Sequence, residues 1–232
     1  MVTVLNEYNT RKEDINRIFS FLEDITTKEA ILSFPTNGSS EKISIEQTAI
    51  LKAELMLLFY NCVESTVSNC IRRILRAITD CKCLYEDLKP PIQETFLKSY
   101  WKRLDNRTIS GTDPIQIIHK AVDVIIMGEV ASIGIDEFIC CNGQGVFSGS
   151  LDAKEIRNIF KLLDINLTIT CDYLKIIKEN RNKLAHGEIA FNECCRDFPI
   201  TFFSNAKDGL FDYFDNLIKI VDNYIKNEEF KQ

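Results

Sequence analysis

From Ile45 to Thr79 apolar side chains recur at intervals of three and four residues: Leu51, Leu55, Leu58, Phe59, Cys62, Val67, Cys70, Ile74 and Ile78. That spacing puts them on one face of a helix with a 3.6-residue period, and a stretch this long without a breaker predicts a single helix that organises everything around it. Its start is marked in the sequence. Ser44-Ile45-Glu46-Gln47 has the form of a capping box, in which a serine hydroxyl and a glutamine side chain satisfy backbone N–H groups that the first helical turn leaves open.

The rest of the chain carries the same period. Leu5, Ile15, Ile18, Phe19 and Leu22 predict a first helix over about 4–25, and Leu210, Phe211, Phe214, Leu217, Ile218, Val221 and Tyr224 predict a last one over about 206–226. Between the first two helices, Pro35, Asn37-Gly38 and Ser39-Ser40 lie in a stretch, 26–42, that reads as a loop. Pro90-Pro91 and Asp113-Pro114 each open a further helix, because proline is tolerated in the first helical turn and nowhere later. Residues 133–149, with ICCNGQGVFSG, read as a glycine-rich loop with a short hairpin around Asn142-Gly143; the Gly-x-Gly there lacks the following Lys-Ser/Thr of a phosphate loop. Asp152 caps a helix to about Leu163, and Thr168–His186 reads as the next. The expectation is an all-α protein, a single domain over 1–232, with core helices at about 4–25, 45–79, 152–186 and 206–226 and an insertion at about 80–150.

Composition narrows the function classes. The 232 residues carry a net charge of −6, which argues against broad, sequence-blind binding along a nucleic acid and leaves local contacts or contacts shared between two subunits. No apolar stretch approaches the length of a membrane span, and the charged N-terminus has no leader-like core, so a cytoplasmic protein without a membrane partner is expected. In that compartment the nine cysteines stay reduced. Cys81-Lys82-Cys83, Cys140-Cys141 and Cys194-Cys195 all lack the C-x2-C spacing of a zinc knuckle, so they read as buried or tolerated thiols; neither metal nor cofactor is expected.

The segment LTITCDYLKIIKENRNKLAHGE holds the candidate chemistry. Its apolar stripe runs through Leu174, Ile177 and Leu184, with Arg181 in line between the last two. An arginine keeps its proton, so on a packed stripe it either snorkels to solvent or takes a carboxylate or phosphate as partner. His186 stands immediately before Gly187, a C′ glycine, at the end of the helix where the dipole favours a cation. On an ideal helix it lies ~140° around from Arg181. It is either a simple cap or a proton carrier, since imidazole is the side chain that ordinarily titrates near neutrality. Glu64, flanked on the long helix by Leu57, Tyr60, Val67 and Ile71, is a carboxylate on an apolar edge: a structural ion-pair partner or the group that orients Arg181. The other histidine, His119, reads as structural. Arg72, Arg73, Arg76, Lys98, Lys102 and Arg103 read as RNA-guiding or merely solubilising charges.

Arg181, Asn182 and His186 match an Arg-x4-His motif, with Asn directly after the Arg, and on these residues the chain resembles the HEPN superfamily. The stretch ILKAELMLLFYNCVESTVSN is similar to the second helix of stand-alone HEPN proteins in toxin–antitoxin and anti-phage loci, and FSGSLDAKEIRNIFKLLDI and the Phe-rich last helix are also similar to that group. The resemblance implies a HEPN-type four-helix bundle, here with extra helices and a glycine-rich insertion, that homodimerises so that two motifs share a cleft. It implies metal-independent cleavage of RNA by attack of the 2′-hydroxyl on the adjacent phosphate, with an antitoxin or sensor protein as a further partner; the acidic overall charge points to a narrow substrate such as a tRNA loop. His186 would move protons, Arg181 would bind the phosphate, Asn182 would donate a hydrogen bond or hold the helix end, and Glu64 would orient Arg181. The alternative is a non-catalytic HEPN module that binds RNA or a partner protein. Some members carry a tyrosine shortly after the histidine; Gly187-Glu188-Ile189-Ala190 stands here instead, a departure that argues against tyrosine-linked regulation.

Overall fold

In the computed structural model, residues 1–28, 30–105, 114–128, 131, 138 and 151–232 are described. They form seven α-helices: α1 (Val2–Thr27), α2 (Ile45–Asp80), α3 (Pro90–Asp105), α4 (Pro114–Ile126), α5 (Ala153–Lys161), α6 (Tyr173–Ala185) and α7 (Ile200–Lys226). Two short strands, β1 (Ile31–Phe34) and β2 (Ser39–Lys42), and a 3-10 turn at Tyr85–Asp87 complete the described elements. The all-α expectation holds. The glycine-rich stretch 133–149 lies outside the described residues except for Phe138, which is buried.

The caps sit where the sequence puts them. Ser44 N–H donates to Gln47 Oε1 at 2.7 Å and Gln47 N–H to Ser44 Oγ at 3.1 Å, so the capping box that opens α2 is complete in both directions. Asp152 Oδ1 accepts from the N–H groups of Lys154 and Glu155 at 2.9 and 3.0 Å, which starts α5.

Three boundaries differ from the sequence reading. Residues 31–42 are not a plain loop but an antiparallel hairpin, in which Ile31 pairs with Lys42 and Phe34 with Ser39; Gly38, at φ +68°, makes the turn and donates to Phe34 O at 2.9 Å. The second helix of the motif region starts at Tyr173 rather than Thr168, because Thr168, Ile169 and Thr170 have branched side chains that favour extended backbone. The last helix begins at Ile200, directly after Pro199, six residues earlier than its apolar spacing suggested.

The described residues gather into two compact units. One comprises Val2–Thr66 and Thr170–Asp215, the other Val67–Ile169 and Asn216–Gln232, so α2 and α7 each contribute to both. In the first, the inner face of α1 is Val4, Tyr8, Ile15, Phe19, Leu22 and Ile25, all buried. Tyr8 Oη donates to Phe211 O at 3.2 Å, and Lys12 reaches Asp215 at 3.0 Å while its ammonium lies 4.8 Å from the centre of the Phe211 ring, fixing α1 along α7. A close approach explains a mid-helix glycine: a Cβ at Gly209 would stand 3.2 Å from Tyr173 Cδ2. Each large apolar side chain fully buried here contributes about 1.5–3 kcal/mol.

In the second unit the chain end is tied down. Lys89 N–H donates to Phe230 O at 3.0 Å and Gln232 N–H to Asp87 O at 2.9 Å. Tyr224 Oη donates to Leu163 O at 2.6 Å in the interior, and Lys89 pairs with Asp164 at 2.9 Å. These contacts close the end of α7 over the turn that follows α5.

Candidate active site

The site lies in the first unit, on α6 and the adjoining part of α2. Leu174, Ile177 and Leu184 are the buried stripe of α6. Arg181, in line with them, is half-buried, as its position on the stripe predicts. Its guanidinium carbon stands 4.8 Å from the centre of the Tyr60 ring on α2, and its Nη1 donates to Asn182 Oδ1 at 3.2 Å. A ring face and a neutral amide hold the group in place without cancelling its charge, so its attraction for an anion is retained. Tyr60 itself is fully buried, which fixes the platform.

Asn182 therefore has its side-chain oxygen turned to Arg181, and its amide nitrogen is the donor end of the group. Glu64 follows Tyr60 by one turn on the same face of α2 and is half-buried. Its orienting role towards Arg181 stays an expectation.

The helix end is built in detail. His186 is the C-cap, with φ −89° and ψ 0°, and Gly187 follows at φ +67°. Gly187 N–H donates to Leu184 O at 3.2 Å and Glu188 N–H to Lys183 O at 2.8 Å. Those two bonds are the paired pattern of a Schellman ending, which needs a left-handed residue after the cap and so selects glycine. The result puts His186 at the negative end of the helix dipole with its side chain exposed. Arg181 is thus anchored and half-buried, His186 reaches solvent, and Asn182 touches the first of them. His119 is exposed on α4, and among the described residues no three or more His, Cys, Asp or Glu side chains gather in a way that could hold a metal ion.

The family model described as "HEPN_MAE_28990-like HEPN" matches residues 2–230. The chain belongs to this HEPN family. No curated protein and no solved structure matches it significantly. Membership accords with the all-α HEPN fold and makes this an RNA-related helical module; among the described residues no helix is long and apolar enough to cross a membrane.

Two features of the site were not read from the sequence. In the sequence Tyr60 stands out only as a neighbour of Glu64, although an aromatic one turn before a carboxylate on the same stripe is a ready platform for a cation. Lys52 is buried on α2, and its ammonium donates to the carbonyls of Arg196 at 3.0 Å and Phe198 at 2.6 Å, pinning the segment between α6 and α7. Burial holds its pKa below the usual lysine range.

Proposed function

We propose that this HEPN protein is a metal-independent endoribonuclease that acts in the cytoplasm as a toxin or anti-phage effector. The observation that carries the reading is the half-buried Arg181, stacked on Tyr60 and braced by Asn182 at the end of a helix that delivers His186 to solvent. In the reaction, the ribose 2′-hydroxyl attacks the neighbouring phosphorus, the P–O5′ bond breaks, and a 2′,3′-cyclic phosphate and a 5′-hydroxyl result. A base, an acid and a cation at the phosphate suffice for that step.

His186 moves the proton, taking it from the 2′-hydroxyl or giving it to the 5′-oxygen. Arg181 bonds the phosphate oxygens and offsets the charge that builds on them, as a planar fork of donors is suited to do. Asn182 adds a donor through its amide nitrogen. Glu64 acts as a positioning residue for Arg181. Because one histidine cannot be base and acid at once, two copies of the chain contribute one each in a shared cleft, which makes a homodimer part of the proposal. A net charge of −6 fits a substrate gripped at few points, such as a tRNA loop, and the toxin role implies an antitoxin or sensor protein as a second partner.

The test is incubation of purified protein with total tRNA in excess EDTA, comparing wild type with Arg181→Ala and His186→Ala. Cleavage by wild type that drops roughly 100- to 10,000-fold in His186→Ala supports the reading. An inactive, well-folded dimer that still binds RNA would instead make the protein a binding module.

A further inference from the structure

The segment after the motif helix contains an arrangement that the RNA chemistry does not use. Neighbouring side chains on a regular backbone diverge, by about 100° on a helix and to opposite faces on a strand. Cys194 and Cys195 do not: their sulfurs stand 3.4 Å apart. The cause is local. Cys195 has φ +61°, a left-handed conformation uncommon for any residue but glycine, asparagine or aspartate, and it turns the second sulfur back beside the first. The turn is held from both sides, by Cys194 N–H on Ala190 O at 2.9 Å and by the buried Lys52 ammonium on the carbonyls of Arg196 and Phe198. Cys194 also donates its S–H to Asn180 Oδ1 at 3.7 Å, which links the pair to α6 at the residue before Arg181.

We propose that Cys194 and Cys195 are a thiol redox site that hydrogen peroxide closes, reversibly, into a disulfide between adjacent residues. The Cys195 thiolate attacks one peroxide oxygen, the O–O bond breaks, and a sulfenic acid forms while the other oxygen leaves as water after taking a proton. The Cys194 sulfur then attacks the sulfenic sulfur, the S–O bond breaks, and a second water leaves with the Cys194 proton. Two thiols are oxidised and one peroxide is reduced to two waters. Cys195 is assigned the first step because it keeps a little exposure, 7% against 0% for Cys194. Closing the gap to the ordinary 2.05 Å bond asks each sulfur to move about 0.7 Å. Adjacent α-carbons, about 3.8 Å apart across a trans peptide, lie closer than ordinary disulfides allow, so the closed form is strained and easily reduced, as labile regulatory disulfides are. Burial pushes both thiols above their usual range, and at Cys195 the neighbouring Cys194 sulfur adds to the rise, which the Lys52 ammonium offsets only in part, so oxidation is slow near neutrality and speeds up as pH rises, about tenfold per unit while thiolate is scarce. Closure also removes the S–H that Asn180 accepts.

The proposal is independent of whether the protein cuts RNA. Trypsin releases Leu184–Arg196, which contains these two cysteines and no other. The full-length reduced protein is treated with peroxide under native conditions, quenched, alkylated in denaturant and digested for mass spectrometry. The expected peptide carries no alkyl group, is two hydrogens lighter than the dithiol, and takes two alkyl groups after dithiothreitol. A doubly alkylated peptide after peroxide, a link to a different cysteine, or oxidation that dithiothreitol does not reverse would overturn the proposal. In Cys194→Ser the ring cannot form, and dimedone is expected to label Cys195; the wild-type result stands alone should that variant not fold.

Discussion

Gly187 offers a test of the helix ending that carries His186, because strain and space can be separated there. The residue adopts φ +67°, and a Cβ built on it would meet nothing within 4 Å. Replacement by alanine therefore costs only the left-handed backbone, roughly 1–2 kcal/mol. For a chain of this size that lowers the melting temperature by about 2–8 °C. Asparagine, which tolerates this region, should cost less, and valine, for which it is a true outlier, should cost more. Circular dichroism melts of Gly187→Asn, Gly187→Ala and Gly187→Val should rank in that order below wild type. The same ranking is expected in RNA cleavage, since straightening the turn displaces the His186 cap. Alanine that is neutral or stabilising would refute the reasoning, because a glycine in an ordinary conformation gains about 0.4–1 kcal/mol from that change.

Asp152→Ala removes the acceptor for two N–H groups at the start of α5 and should destabilise the protein by about 1 kcal/mol in urea unfolding. Tyr60→Leu takes the ring from under Arg181 and should weaken binding of an RNA oligonucleotide by about 2- to 30-fold, whereas Tyr60→Phe keeps the ring and the affinity; equal effects of the two would contradict the stacking role. Burial pushes the Cys70 thiol up to about 12. Its folded value lies above the unfolded one, so this contribution to stability is complete below about pH 8.5 and is lost as pH rises towards 12. Melting temperature should therefore fall less steeply between neutral and strongly alkaline pH in Cys70→Ala than in wild type, and parallel slopes would remove the thiol as the cause.

What the sequence disclosed tracks which physical terms act locally. The apolar stripe of α2, the Ser44–Gln47 box, the Asp152 cap and the Gly187 stop each depend on residues a few positions apart, and all four stand as read. The hairpin is not legible in the sequence because all eight strand residues are exposed, so no alternation of polar and apolar residues marks them. The early start of α7 has a signal in Pro199, of the kind that opens α3 and α4, which the apolar face of the helix does not carry. Lys52 stands at helical spacing with Ala49, Met56 and Phe59, a stripe on which a lysine needs carbonyl partners; which carbonyls they would be depends on the chain 144 and 146 residues later. The platform role of Tyr60 likewise needs α2 and α6 together in space. Left-handed Cys195 has no sequence signature at all, since nothing in Glu-Cys-Cys-Arg distinguishes it from an ordinary turn.

The most direct test of the nuclease assignment is the chemistry of the ends it leaves. After digestion of tRNA in EDTA, the 3′ ends of the fragments are expected to carry 2′,3′-cyclic phosphates and the 5′ ends free hydroxyls, with neither produced by Arg181→Ala or His186→Ala. Fragments ending in 3′-hydroxyl and 5′-phosphate, or the same cyclic ends from both variants, would contradict the account.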